Sequence, residues 1–159
     1  MKRVAVLGLL CLLNVAVAHS QQPSATPADF SFVLEYGSAR QLVLDTAKGT
    51  FARDTDHPTF ITTIKLILTA DEMNQIFREL VRIDFWNATK YPRVFSYPPP
   101  IPGERRTGVV PCGQFLFSVT SRGQVKELSW EDCFLSRSPP YAPADELRDV
   151  FNTIHRFIE

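Results

Sequence analysis

The sequence predicts an α+β domain: an antiparallel sheet with two helices packed on one face and one hairpin closed by a disulfide. Three observations lead there. Apolar and polar residues alternate in several short runs bounded by Gly, Asp and Pro, two longer runs repeat at helical spacing, and Cys112 and Cys133 lie symmetrically about Arg122-Gly123. A more rolled sheet wrapped round the first helix satisfies the same pattern.

The first strand is Phe32-Val33-Leu34-Glu35-Tyr36, whose alternation puts Phe32, Leu34 and Tyr36 on one face. Gly37-Ser38 turns the chain into a partner strand over residues 41–45. Lys48-Gly49 bends it again before a strand over residues 50–53. After the polar loop Asp54-Thr55-Asp56-His57-Pro58, residues 60–68 form a strand rich in β-branched side chains. Thr69 then opens a helix: its hydroxyl can accept from the first turn while Glu72 reaches back, the capping-box pattern. Met73, Ile76, Phe77, Leu80 and Val81 make one apolar stripe, which needs a sheet to pack on. Ile83, Phe85 and Trp86 continue the apolar run beyond helical period.

Residues 91–111 carry six prolines, which excludes a helix interior and a central strand. So long a connection is functional, disordered or a strap on the core. The hairpin follows. With Arg122-Gly123 as a two-residue turn, Ser121 faces Gln124, Val119 faces Lys126, Phe117 faces Leu128 and Phe115 faces Trp130. Cys112 then faces Cys133 at a non-hydrogen-bonded position, with Cα atoms about 4.5 Å apart, a separation disulfides tolerate at the short end of their range. Such a bond would contribute about 3 kcal/mol; the alternative is two free buried thiols. Residues 143–158 form the last helix, with Leu147, Val150, Phe151, Ile154 and Phe157 or Ile158 inward, Asp145 and Glu146 at its start and His155-Arg156 at its end.

Residues 1–20 read as a signal peptide: Lys2 and Arg3, an apolar run over residues 4–17, then small residues for cleavage after Ser20 or, as second choice, after Ala18. The run is short for a membrane anchor and Asn14 interrupts it. Cys11 lies within it, a place unsuited to lipidation. Residues 21–29 read as a flexible leader and residues 30–159 as a single domain. The whole chain has 17 basic and 17 acidic side chains; without Lys2 and Arg3, 15 basic remain, a net charge of −2. No block of one sign survives, so neither nucleic acid nor an anionic membrane is indicated as a partner.

A resemblance rests on Leu44-Asp45-Thr46, Lys48-Gly49-Thr50, Arg53-Asp54, Thr62-Thr63-Ile64-Lys65-Leu66, Leu68-Thr69-Ala70-Asp71-Glu72-Met73 and Ile83-Asp84-Phe85-Trp86-Asn87, and more loosely on Lys126-Glu127-Leu128-Ser129-Trp130. These residues resemble a family of uncharacterised bacterial secreted proteins and lipoproteins. The resemblance implies an extracytoplasmic bacterial protein of no known activity. The chain departs from the lipoprotein members in having no plausible lipidation cysteine.

Candidates for chemistry are few. Asp54 and Asp56 could offer oxygens to a hard cation or act as an acid pair, but the loop lacks the spaced oxygens and closing glutamate of a calcium loop. Asp45 and Asp84 are a second pair that could act as glycosidase carboxylates do. Surface turns and caps explain all four in simpler terms. Asn87-Ala88-Thr89 matches a glycosylation acceptor. No nucleophile motif, phosphate-binding loop, cofactor motif or metal-ligand pattern is present. The expectation is therefore a secreted or periplasmic, non-catalytic binding or envelope-accessory module, with a possible protein partner meeting Tyr91, Phe95, Tyr97, Arg105 and Arg106 on the proline-rich loop. The alternatives are a small hydrolase using a carboxylate pair, and a protease-inhibitor-like or purely structural surface protein.

Overall fold

The protein is described here by a computed structural model, which covers residues 25–37, 40–54, 61–97, 113–132 and 142–159. Four strands come first: β1 (Ser31–Gly37), β2 (Leu42–Asp45), β3 (Thr50–Asp54) and β4 (Ile61–Lys65). Helix α1 (Ala70–Arg82), strand β5 (Val94–Tyr97), the hairpin β6 (Gly113–Ser121) and β7 (Gln124–Asp132), and helix α2 (Ala142–His155) follow. The strands form one sheet in the order β4-β3-β2-β1-β6-β7-β5. The first six pair antiparallel, and β5 lies parallel to β7.

Strict alternation in β1 buries Phe32, Leu34 and Tyr36. Each faces a β6 residue of the same kind: Val119, Phe117 and Phe115. Leu44, Phe51, Leu128 and Trp130 extend this apolar face across the sheet. Both helices pack on it, α1 through Ile76, Phe77 and Leu80, α2 through Ala144, Leu147, Val150 and Ile154, so that one core serves the whole fold. Aromatic rings bind the layers: Phe151 meets Tyr36 and Phe115 edge-on at 5.1 and 5.0 Å, and Phe85 meets Phe117 at 5.5 Å.

The hairpin adopts the register expected from sequence, with Ser121↔Gln124 next to the turn and Phe115↔Trp130 stacked at 4.5 Å. Arg122 and Gly123 both have positive φ, 54° and 71°, the type I′ geometry whose twist matches that of the strands. The carboxylate of Asp29 accepts from both turn amides, at 2.9 and 2.6 Å. The last residue of the expected leader is thus pinned to the hairpin tip, and Phe30 after it is buried.

Two expectations about the sheet need correction. The disulfide is not part of the structure: no such bond exists among the described residues, and Cys112 and Cys133 lie outside them. The ladder closes at Gly113↔Asp132, and a bidentate ion pair secures that end. Arg148 of α2 donates to both oxygens of the buried Asp132, at 2.6 and 2.7 Å, and to Asp145 at 2.8 Å. The sheet is also not wholly antiparallel, because part of the proline-rich connection becomes β5. Prolines flank its four residues at positions 92 and 98 without entering them, and an edge strand bonds on one side only, so the segment tolerates them. Among the described residues no helix is long and apolar enough to cross a membrane.

Candidate functional site

Trp86 owes its position to the way α1 ends. The capping box at its start is complete, Thr69 Oγ1 accepting from Glu72 N at 3.3 Å while Glu72 accepts from Thr69 N at 2.6 Å. At its end Ile83 is the C-cap and Asp84 takes a left-handed φ of 57°. Phe85 N donates to Leu80 O and Asp84 N to Val81 O, both at 3.0 Å, which is the Schellman pattern with an aspartate where glycine is usual. Leu80 and Phe85 are both buried. The reversal sends Phe85 into the core and leaves its neighbour Trp86 half-buried at the surface.

A second turn follows at once. Asn87 Oδ1 accepts from the amides of Thr89 and Lys90, and its Nδ2 donates to Asp84 at 2.9 Å, so the side-chain amide of the residue that matches the glycosylation pattern is engaged in the turn. Tyr91 returns inward and is fully buried. Its hydroxyl donates to Glu146 on α2, which also pairs with Lys90 at 2.7 Å; Lys90 donates to Ile83 O at 2.9 Å. Burial pushes the Tyr91 hydroxyl far above its ordinary range, with Glu146 adding to the shift. Burial alone would raise the Glu146 carboxyl, but hydrogen bonds from Lys90 and Tyr91 outweigh it and hold the group below its usual value.

Lys126 approaches from the hairpin. Its ammonium donates to Phe85 O at 2.6 Å and Asn87 O at 3.4 Å, and it lies 5.1 Å from the centre of the Phe85 ring and 5.9 Å from that of Tyr91. Burial depresses its pKa, partly offset by the charge of Asp84. Arg93 beside it pairs with Glu127 at 3.0 Å.

Two clefts flank Trp86 and share Gln124. One of about 330 Å³ lies between α1 and the hairpin tip, lined by Phe77, Val81, Trp86, Ser121, Arg122 and Gln124. The other, of about 490 Å³, has Trp86, Ala88, Tyr91 and Arg93 on one side and Gln124, Val125, Lys126 and Glu127 of β7 on the other. Both fall in the size range of small-ligand or peptide sites. Val81, expected in the buried stripe of α1, is 45% exposed and forms a cleft wall.

Among the described residues, those singled out from sequence are not brought together in one place. Tyr91 is interior, bonded to Glu146, and so leaves the candidate surface. Phe95 and Tyr97 belong to β5, where their backbone pairs with Trp130 and Asp132. Arg105, Arg106 and Asp56 lie outside the described residues, and Asp54 is placed only by its backbone at the end of β3. Asp45 binds Lys48 through side chain and amide at 2.8 and 3.0 Å, whereas Asp84 binds Asn87, so each carboxylate is held by its own turn. Among the described residues no group of three His, Cys, Asp or Glu side chains could hold a metal ion. Sequence reasoning missed Trp86, Gln124, Lys126 and Glu127 as neighbours. The available signal was the break in period after Val81, which put an aromatic outside the helical stripe. No protein-family model matches the chain, and no curated protein matches it.

Proposed function

We propose that the protein is a non-catalytic binding module, working outside the cytoplasm as an envelope accessory, that takes its ligand in the clefts around Trp86. One observation carries the reading: a half-buried tryptophan separates two clefts, and among the charged side chains lining them Arg93, Glu127 and Lys126 are already held by structural partners. Lys126 serves the carbonyls of Phe85 and Asn87, Arg93 serves Glu127, and Lys90 and Tyr91 serve Glu146. What such a site offers a ligand is aromatic surface, amide groups and fixed charge, the means of recognition and orientation. Export rests on the character of residues 1–20 in the sequence.

The chain has two tryptophans, and Trp130 is buried in a stack on Phe115. In a two-dimensional NMR screen of sugars, peptides and aromatic acids, a true ligand shifts the Trp86 indole signal and leaves that of Trp130 in place. Binding is then lost in Trp86→Ala. Ligands that bind without moving the Trp86 signal, or a screen that moves neither, would refute the proposal.

A further inference from the structure

The larger cleft borders a strand edge that is only half used. β5 pairs with β7 from Val94↔Ser129 to Tyr97↔Asp132, and among the described residues no strand lies beside the remaining half of β7, from Gln124 to Leu128. The ladder to β6 begins with the pair Ser121↔Gln124 at a two-residue turn, so residues 124, 126 and 128 bond inward to β6. The amides and carbonyls of Val125 and Glu127 therefore point outward. The direction is visible one step further on, where Ser129 N donates outward to Arg93 O at 2.8 Å.

We propose that this open half-edge of β7 accepts an extended, acidic peptide segment as an added strand, an assignment that deepens the Trp86 reading and rests on it. Strand addition supplies main-chain hydrogen bonds for affinity, and alternate side chains supply specificity. Five residues of edge span roughly 16 Å, enough for a short segment. On the helix side the peptide's alternate side chains meet Trp86. On the other side they meet Val125 and Val94, which are 67% and 71% exposed and flank the edge.

Charge selects the acidic class. Arg93 is matched by Glu127, but Lys126 has no carboxylate within ion-pair distance among the described residues, and Arg122 stands at the neighbouring cleft. The Lys126 ammonium has three donors, and the two acceptors it meets are neutral carbonyls, one of them at 3.4 Å. A carboxylate arriving beside it meets a half-buried cation whose hydrogen-bond partners are neutral carbonyls.

The probes are short capped peptides with a fluorophore: alternating valine and aspartate, alternating valine and lysine, and the first again with alternate amides N-methylated. Anisotropy titrations use the full chain. The aspartate peptide should bind, the lysine peptide should bind at least about tenfold more weakly, and N-methylation on the bonding side should cost a similar factor. Val125→Pro removes the outward amide without removing a bond to β6 and should weaken the aspartate peptide likewise, whereas Val125→Thr should not. The peptides decide the matter even if the proline variant fails to fold. Equal affinity for both charges, indifference to N-methylation, no binding, or pairing of two copies of the chain through this edge would each overturn the proposal. A small aromatic acid that moves the Trp86 indole while every peptide fails would leave the Trp86 site standing and remove strand addition alone.

Discussion

Tyr91 and Glu146 show what a single buried hydrogen bond does across two elements. The hydroxyl is carried by a turn after α1, the carboxylate by the start of α2, and Lys90 completes the set. Replacing Tyr91 with Phe keeps the packing and removes the donor, so the loss should be about 1–2 kcal/mol in urea denaturation. The same carboxylate ties stability to pH. Glu146, Asp29 and Asp45 all have folded pKa values below their ordinary 4.5 and 3.8. The unfolded chain then binds more protons in acid, so the stabilisation is complete above about pH 5 and disappears as pH falls through the folded values. Melting temperature should decline over that range, and Glu146→Gln should make the decline shallower. At the alkaline end Tyr91 and Tyr36 are both raised, chiefly by burial. The folded chain retains those protons longer, and stability should fall above about pH 10.

At the scale of elements, local chemistry decided how much could be read from the chain. The α1 start was legible because Thr69 and Glu72 are a complete instruction contained in four residues; Thr69→Ala should cost about 1 kcal/mol by thermal or urea melts. The hairpin was legible for the same reason, since an Arg-Gly turn fixes every pair behind it and the apolar pairs agree with that register. β5 was not legible. Its partner is remote in sequence and its strand character comes from bonds to β7, which no local pattern announces. The clefts were hidden for a related reason. Trp86 is placed by a Schellman turn formed with aspartate, whereas glycine is the usual signal, and Lys126 reaches the neighbouring Phe85 carbonyl from a strand whose sequence displays chiefly its apolar pairing.

For the whole molecule the decisive link is Arg148 with Asp132. Core burial holds α2 on the sheet, but this pair fixes which end of the helix meets which end of β7. Asp132 is 1% exposed, so its removal takes the bidentate carboxylate from a cation that is itself largely covered and leaves it the more exposed Asp145. Asp132→Ala should destabilise by about 3 kcal/mol in equilibrium unfolding. If the pair also sets the helix position, nuclear Overhauser contacts between Phe151 and Phe115 should weaken in that variant.

The place of β5 in the sheet has a consequence in time. A ribosome delivers Val94 to Tyr97 before any residue of β7 exists, and among the described residues β7 is its only neighbour in the sheet. β1 to β4 can assemble as successive antiparallel neighbours while β5 waits, its backbone hydrated, until the hairpin has closed. Joining distant segments costs loop entropy that is recovered only when both are in place. The strand should therefore be the last to dock during synthesis and among the first to leave. In hydrogen exchange its inward amides should open well before those of β1 and β6, making this edge the one through which the fold comes apart.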